Sequence, residues 1–267
     1  MQFLSKYIFL YFAPALLFIS CNKEEVIQLD LNNAPAQYVI EASITDEARP
    51  YSVRITTSAA LDQTNDFPAV RGALVVISDN AGHTDTLPEK SPGHYETPEA
   101  KPGVSGQTYT LQVWIDGSLF TASSTMPGAV PFQDLRVIRL PFGGDNPLAL
   151  MPVFNDPPGL GNNYQFVQSN NGKQLPNIFV TDDRNNDGAQ VSSLLIAPET
   201  ETRVGDTVSV EMRNIDRATY KYFVALDASN GNGPNASVPA NPDNNFEGAC
   251  LGYFSAYTVQ RRMLVVE

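Results

Sequence analysis

Apolar and polar residues alternate with a period of two from Val26 to about Pro127. In Tyr109–Ile115, for example, every second side chain is a large apolar one. Because successive side chains of a β-strand point to opposite faces, this pattern buries one face of each strand and leaves the other in water. About seven such strands in about 100 residues, separated by turn-forming residues, predict an immunoglobulin-like β-sandwich over residues 32–127.

The second half of the chain, residues 130–267, mixes strands with long polar loops. The runs that predict strands are Leu135–Leu140, Tyr164–Gln168, Asn177–Thr181 and Asp206–Met212. Between them lie loops rich in Asn, Pro and Gly. The segment Ala122–Pro131 is small, contains proline and has no apolar period, so we expect the boundary between the two domains there.

A single helix is predicted in this second half, at Asp216–Ser229. Asp216 is suited to cap its first turn, and Gly231 lies just past its end. The stripe at helical spacing consists of Tyr220, Phe223, Val224 and Asp227. The expected fold class is therefore mainly all-β, with an N-terminal immunoglobulin-like β-sandwich followed by a second β-rich domain that carries one short helix.

The first 20 residues have the anatomy of a secretory signal, with Lys6 followed by an apolar stretch. The stretch ends in Leu17-Phe18-Ile19-Ser20-Cys21, which resembles the bacterial lipobox. That resemblance implies cleavage before Cys21 and acylation of its thiol, and two or three acyl chains would hold the chain firmly in a membrane. The alternatives are an anchor helix kept in the mature chain, or a cysteine that follows an ordinary signal by chance. Residues 21–31 are then the anchor linker and the first strand.

Charged residues follow the cysteine at once, as Asn22-Lys23-Glu24-Glu25. Lys23, Glu24 and Glu25 resemble the signal that moves some lipoproteins to the outer face of the outer membrane. The alternative is a solvated linker. The resemblance implies an outer-membrane, lipid-anchored protein that faces the cell exterior.

The net charge of −12 argues against a partner that is a nucleic acid or an anionic membrane surface. Both need a basic face on the protein. The expected membrane contact is therefore the lipid anchor alone.

The strongest local candidate for a metal site is Asp183–Gly188. Asp183, Asn185 and Asp187 place oxygen ligands at alternate positions, and Gly188 stands sixth, as in the opening half of a calcium loop. The twelfth position holds Leu194 instead of a bidentate Glu, which excludes a true EF-hand. A partial calcium loop and a plain polar turn both remain open, and no other cofactor is expected.

Other residues that often carry chemistry give weaker signals. Cys250 stands among small and apolar residues, which predicts a buried, inert thiol. His83 and His94 are the only histidines, too few for a zinc site without cysteine ligands. Tyr109 is expected to tie down a corner of the sandwich through its hydroxyl.

Aromatic residues are dense near the end of the chain. They are Phe246, Tyr253, Phe254 and Tyr257. We expect them to be core. Were they exposed, they would form a docking patch for sugar or protein.

Several short motifs together resemble the bacterial family called domain of unknown function 4249. They are SPGHY at 91–95, GQTYTL at 106–111, Asp156-Pro157, Asn163-Tyr164, Asp182-Asp183-Arg184, Gly205-Asp206-Thr207-Val208 and NPDNNFEGACLGYFSA at 241–256. The family has no established activity. The resemblance implies a place in the cell envelope and the company of TonB-dependent outer-membrane transporters.

The expected function is that of a non-catalytic binding or accessory module on the outer membrane. A TonB-dependent transporter is the partner that the family resemblance implies. An adhesive or structural surface protein is the first alternative. The second is a hydrolase of envelope or dietary polymers, for which neighbouring acids such as Asp182 and Asp183 would be the acid and base.

Overall fold

Most of the described chain forms β-strands, as the period-two alternation of its sequence predicts. The computed structural model describes residues 36–59, 67–141, 147–196, 202–229 and 241–267. The first eight strands are β1 (Tyr38–Thr45), β2 (Ser52–Thr57), β3 (Leu74–Asp79), β4 (Thr84–Leu87), β5 (Glu89–Ser91), β6 (His94–Glu96), β7 (Thr108–Ile115) and β8 (Ser118–Thr125). In β7, alternate residues from Tyr109 to Ile115 are buried, as the sequence predicts.

The remaining elements also are mostly strands. They are β9 (Phe132–Arg139), β10 (Leu148–Asn155), β11 (Asn163–Asn170), β12 (Lys173–Gln174), β13 (Phe179–Asp182), β14 (Gln190–Ser192), β15 (Thr207–Asn214), α1 (Arg217–Ser229), β16 (Phe246–Glu247) and β17 (Leu251–Val265). Among the described residues α1 is the sole helix, so the predicted fold class is confirmed. Within the same residues, no helix has the length and apolar character that crossing a membrane requires.

Three sheets organise these strands. The largest has the order β12-β11-β15-β17-β1-β2-β6-β5, with β13 also paired to β11. A five-stranded sheet has the order β16-β8-β7-β3-β4, and a three-stranded sheet has the order β14-β10-β9. The five-stranded sheet packs on β1, β2 and β6 around a first core, which completes the immunoglobulin-like sandwich.

Each sandwich has a core of its own. The first core is centred on fully buried aliphatic residues such as Ile40, Val53 and Leu111. The second lies between β9, β10 and the strands β11 and β15, and contains Phe154 and Phe166. Burial of such side chains is the main source of stability in both.

The predicted corner tyrosine has the expected role. The Tyr109 hydroxyl accepts a hydrogen bond from the Val104 amide at 2.7 Å and donates one to Gln107 at 2.9 Å. The residue is buried. It therefore fixes the chain where it enters β7.

The last strand joins the two sandwiches. β17 has 15 residues. Its first half pairs in parallel with β1, from Leu251 to Tyr257. Its second half pairs antiparallel with β15, from Thr258 to Val265. One continuous strand therefore carries the large sheet from one sandwich into the other, and Pro35–Glu267 forms one compact unit.

The C-terminal segment departs from the predicted division into residues 32–127 and 130–267. Cys250, Phe254 and Ala256 fall in the second range but pack in the first core. The physical reason is the length of β17, which lets a single strand serve both sheets. The ranges 1–20 and 21–31 lie outside the described residues.

The helix begins where expected, and its buried face is rotated from the predicted stripe, with which it shares Phe223. Asp216 caps it, because its carboxylate accepts a hydrogen bond from the Thr219 amide at 2.8 Å. The buried residues of α1 are Thr219, Tyr222 and Phe223, whereas Val224, predicted to lie in the apolar stripe, is exposed. Tyr222 and Phe223 both pack against the ring of Tyr253 on β17.

Candidate functional site

The predicted calcium-loop residues lie in a turn that follows β13. Asp183 is buried, and its Oδ2 accepts hydrogen bonds from the amides of Gly161 and Asn162, both at 2.7 Å. Asp187 is exposed, and its Oδ1 accepts a hydrogen bond from the Gly159 amide at 2.6 Å. Asn185 is exposed as well. The two carboxylates therefore join the loop 183–189 to the loop 156–162, and we call the two together the paired loops.

The hydrogen bonds to Asp183 and Asp187 affect how well this loop could bind a metal ion. One oxygen of each carboxylate already accepts backbone N–H bonds, which compete with a calcium ion for that oxygen. No three of the described histidine, cysteine, aspartate and glutamate residues are grouped so that they could hold a metal ion. The geometry favours the polar-turn interpretation of Asp183, Asn185 and Asp187, and the calcium loop stays a prediction.

A third carboxylate, Asp156, completes the paired loops from the end of β10. It is buried and accepts hydrogen bonds from the Tyr164 hydroxyl and, at 3.3 Å, from the Gly188 amide. Burial, and then the neighbouring Asp156, raises the pKa of Tyr164 far above its ordinary value. The phenol therefore stays protonated and donates to Asp156 at every physiological pH. In the sequence Asp156 stands out only as part of the Asp156-Pro157 motif, and no local signal marks it as buried.

Asparagine side chains stiffen the first of the paired loops. The Asn162 amide donates to the carbonyls of Pro157 at 3.2 Å and Gly159 at 3.1 Å. The Asn163 amide donates to the Gly161 carbonyl at 2.7 Å. Because these bonds close small loops within six residues, the segment is held in one conformation by its own side chains.

Two arginines border the paired loops next to α1. Arg184 donates to Asp182 at 2.7 Å, and Arg217 lies 3.5 Å from the same carboxylate oxygen. The bond to Asp182 raises the pKa of Arg184. Arg217 also donates to the side chain of Asn163 at 3.4 Å, which links the first residue of the helix to β11.

Asp182 and Asp183, the neighbouring acids considered for a hydrolase, do not form an acid–base pair. Asp182 contacts Arg184 and Arg217, whereas the carboxylate of Asp183 is turned to the backbone amides of the other loop. Each carboxylate is therefore occupied by partners of its own and does not contact the other. The arrangement is suited to presenting a rigid surface and gives no support to general acid catalysis by this pair.

Other residues named from the sequence lie apart from the paired loops. Cys21, Lys23, Glu24 and Glu25 are outside the described residues. Cys250 is buried in the first core, and burial raises the pKa of its thiol to about 11, as expected for an inert cysteine. His83 is mostly exposed beside Asp79, at 2.9 Å.

The terminal aromatic residues are divided between two environments. Phe254 is in the first core, and Phe246 packs against it. Tyr253 and Tyr257 point away from that core, and Tyr253 contacts the rings of α1. The expectation of core aromatics therefore holds for Phe254, and also for Tyr257, which is buried in a cluster with Ile215 and Val259. Tyr253 is only partly buried and packs against α1.

These features define the class of the molecule: a mainly β protein with an immunoglobulin-like sandwich continuous with a second, loop-rich one. The chain belongs to the family described as Domain of unknown function (DUF4249), which matches residues 24–263. The predicted resemblance is therefore confirmed over most of the sequence.

Distant likenesses to solved structures accompany this assignment. A two fibronectin type-III domain segment from chicken tenascin is 10% identical with a TM-score of 0.26, over 86% of this chain and 99% of that chain. A cytokine receptor complex is also 10% identical at 0.26, over 84% and 94%. The chicken interferon gamma receptor alpha chain is 10% identical at 0.21, over 67% and 89%. No curated protein matches the sequence.

Proposed function

We propose that this chain is an outer-membrane lipoprotein, anchored through Cys21 and facing the cell exterior, that acts as a non-catalytic binding or accessory module. The observation that carries the proposal is the apolar leader ending in Ser20-Cys21, followed by Lys23, Glu24 and Glu25. Acyl chains on Cys21 would tether the body to the membrane, and the charged linker would let it stand clear.

The geometry of the body supports a role in contact rather than in bond breaking. Its buried carboxylates, Asp156 and Asp183, are held by hydrogen bonds from a tyrosine and from backbone amides. The paired loops connect strands of the three-stranded sheet with strands of the large sheet. Binding residues are often carried by loops on such a rigid frame. A TonB-dependent transporter is the partner that the family resemblance implies.

The anchor is tested by labelling cells with radioactive palmitate. We expect label on the wild-type chain and none on Cys21→Ala, because the thiol is the only attachment point that the leader provides. Equal labelling of the two would contradict the anchor. Protease added to intact cells should digest the wild-type chain, and full protection would place it on the inner face instead.

The partner is tested by crosslinking on intact cells, followed by purification through the lipoprotein. We expect an outer-membrane barrel among the crosslinked products of the wild-type chain. As a control, Lys23→Ala/Glu24→Ala/Glu25→Ala should stay lipidated but lose both surface exposure and crosslinks. Binding to cells or polymer without any barrel partner would favour the adhesive alternative.

A further inference from the structure

The outer face of the five-stranded sheet carries an exposed row of large apolar side chains. Leu74 of β3 lies opposite Trp114 of β7, which in turn lies opposite Leu119 of β8. Their neighbours along each strand are buried in the first core, so these three side chains point outward and lie side by side. Leu74 is 51% exposed and Leu119 is 46% exposed, whereas Trp114, between them, is partly buried. We call the outward face of β4, β3, β7 and β8 the Trp114 face.

The Trp114 face has no charged side chain on its four strands. Besides the apolar row, its outward residues are Ser, Thr, Val and Gln. Asp79 and Asp85 belong to the same strands, but each stands two residues from a residue of the first core and therefore points to the inner side. Glu247 of the edge strand β16 lies opposite Thr121, at the border of the face. A chain with a net charge of −12 thus keeps the centre of this face neutral.

Hydroxyl groups of the face pair with one another. The hydroxyls of Thr108 and Thr125 are 2.8 Å apart, and those of Thr110 and Ser123 are 3.2 Å apart. These groups therefore need no ligand to satisfy them. Small ligands bind in clefts that enclose most of their surface, which the outward face of a sheet does not do. Because the apolar row is what a partner would bury, the partner must be broad and apolar where it meets the face.

The size of the face suits a protein partner. β3, β4, β7 and β8 have 6, 4, 8 and 8 residues. With a rise of about 3.4 Å per residue and about 4.8 Å between strands, they cover about 400 Å² of flat sheet. Projecting side chains enlarge the accessible surface, so two such faces would remove about 1,000 Å² from water in total, which is the lower limit for a specific interface. The contact is therefore expected to be weak and reversible.

A second copy of this chain is the partner that fits this face. Two sheets pack face to face about 10 Å apart with their strands nearly aligned, so a flat sheet is matched by another copy of itself. The net charges of two copies repel each other, but in this contact neither copy brings a charge into the centre. Interfaces between identical chains are richer in apolar groups than the rest of the surface, and tryptophan is prominent in them.

We propose that two copies of this chain associate through the Trp114 face, in a two-fold arrangement that buries Leu74, Trp114 and Leu119 of both. The inference goes beyond the proposed function. It requires neither the lipid anchor nor a transporter, because all the groups involved belong to the first sandwich.

Sedimentation equilibrium of the full mature lipoprotein, in a detergent matched in density to the buffer, tests the proposal. We expect a monomer–dimer equilibrium with a dissociation constant below about 100 µM. Cys21→Ala, which removes the acyl chains, should form the same dimer. A chain that stays monomeric up to about 500 µM, or a dimer that is lost in Cys21→Ala, would overturn the proposal.

Salt dependence separates this contact from one held by ion pairs. The centre of the face has no charge, while the like net charges of the two copies oppose association and are screened as ionic strength rises. The dissociation constant should therefore fall about twofold to fivefold between about 0.05 and 0.5 M NaCl. A dissociation constant that rises with salt would show that ion pairs hold the copies together, and the proposal would be wrong.

Variants locate the contact. Leu119→Glu brings carboxylates into the interface and should raise the dissociation constant at least about tenfold. Met263→Glu is the matched control, because Met263 is 71% exposed on β17, outside the Trp114 face. Its dissociation constant should stay within about twofold of the wild-type value. Equal weakening by the two variants would reject the Trp114 face as the contact.

Urea unfolding in dilute solution, where the chain is monomeric, checks that the variant folds. Leu119→Glu should keep a midpoint close to the wild type, because Leu119 is nearly half exposed. If that midpoint falls sharply, Leu74→Glu takes its place, with the same rise expected in the dissociation constant. Wild-type affinity in a folded variant at either leucine would contradict the proposal.

The transporter is the other occupant that the experiments distinguish. A monomeric wild-type chain whose transporter crosslinks disappear in Leu119→Glu would assign the face to the transporter and overturn the dimer. A dimer that forms without crosslinks to any barrel would count against the proposed transporter partner alone.

Discussion

The two sandwiches are built on different balances of apolar and polar burial. In the first, buried positions are almost all aliphatic or aromatic, as at Ile40 and Val113. In the second, the two buried aspartates of the described residues, Asp156 and Asp183, lie at the ends of strands and accept hydrogen bonds from distant loops. Alternation along each strand therefore specifies the first half, whereas the second half combines an alternating strand such as β15 with particular hydrogen bonds between loops.

The last strand, β17, contributes to both sandwiches, and its two halves differ in burial. Phe254 on its first half is fully buried in the first core, whereas Met263 on its second half is mostly exposed. The same strand also carries Arg261, which joins Glu47 of the first sandwich to Glu211 of the second. Substitutions along β17 therefore separate the contributions of the two regions within one element.

The largest loss of stability is expected from Phe254→Ala. Removing a fully buried ring from the first core should lower the free energy of unfolding by about 3–5 kcal/mol. Urea unfolding followed by circular dichroism and by the fluorescence of Trp114, the only tryptophan, would measure it. Met263→Ala is the control on the same strand and should change stability by less than about 0.5 kcal/mol.

Whether fluorescence and circular dichroism report the same unfolding transition tests the coupling of the two sandwiches. Because β17 belongs to both sandwiches, Trp114 fluorescence, which reports the first, should follow the same transition as circular dichroism, which reports both. A separate second transition in the Phe254→Ala variant would show that the strand does not couple the regions.

The next effect is expected from Asp183→Ala, which removes the acceptor of two backbone amides. Leaving those amides without a partner should lower the free energy of unfolding by about 2–3 kcal/mol, against less than about 1 kcal/mol for the exposed Asp187→Ala. Thermal or urea unfolding measures both. A smaller loss for Asp183 than for Asp187 would contradict the structural role of the buried carboxylate.

The same experiment decides between the two interpretations of this loop. If Asp183, Asn185 and Asp187 form only a polar turn, EDTA and excess calcium should leave the wild-type midpoint unchanged. A midpoint that falls in EDTA and recovers with calcium would establish a calcium loop, because a ligand that binds only the folded state stabilises it.

These contrasts explain what the sequence could and could not reveal. Alternation predicted β1 and β7, because one face of each is buried and the other is wetter. It missed β17, whose middle is buried on both faces, between the first core and the helix. It also missed β10, where Pro152 interrupts the strand pattern.

Site residues were harder to predict than strands. Nothing near Asp156 separates it from other loop acids, because its partners are Tyr164 and Gly188, 8 and 32 residues away. Asp216 was predictable because a helix cap acts within three residues.

A smaller effect is expected from Asp216→Ala, which removes the cap of α1. The loss should be about 1 kcal/mol, and somewhat more if the contact with the Ser124 hydroxyl of β8 also contributes. Asp216→Asn keeps an acceptor for the Thr219 amide and should recover most of it. Urea unfolding is the measurement, and equal losses for the two variants would exclude the cap as the cause.

The smallest change in stability is expected from Glu211, whose contact with Arg261 joins the two sandwiches. Burial of Glu211 opposes its ionisation, but Arg213 and Arg261 outweigh burial and lower its pKa below the ordinary value. A carboxylate with a lowered folded-state pKa adds stability that is present above the unfolded value, about 4.3, and is lost as pH falls through the folded value. Urea midpoints measured from pH 7 down to about 3 should therefore decline less steeply in Glu211→Gln than in the wild type.

The magnitude and control of this last experiment follow from exposure. Arg261 is largely accessible, so solvent screens its share, and the contribution should stay below about 1 kcal/mol. Glu99→Gln, at an exposed position, should leave the acid slope as it is in the wild type. If Glu211→Gln also leaves it unchanged, the arginine that spans the two sandwiches adds no measurable stability.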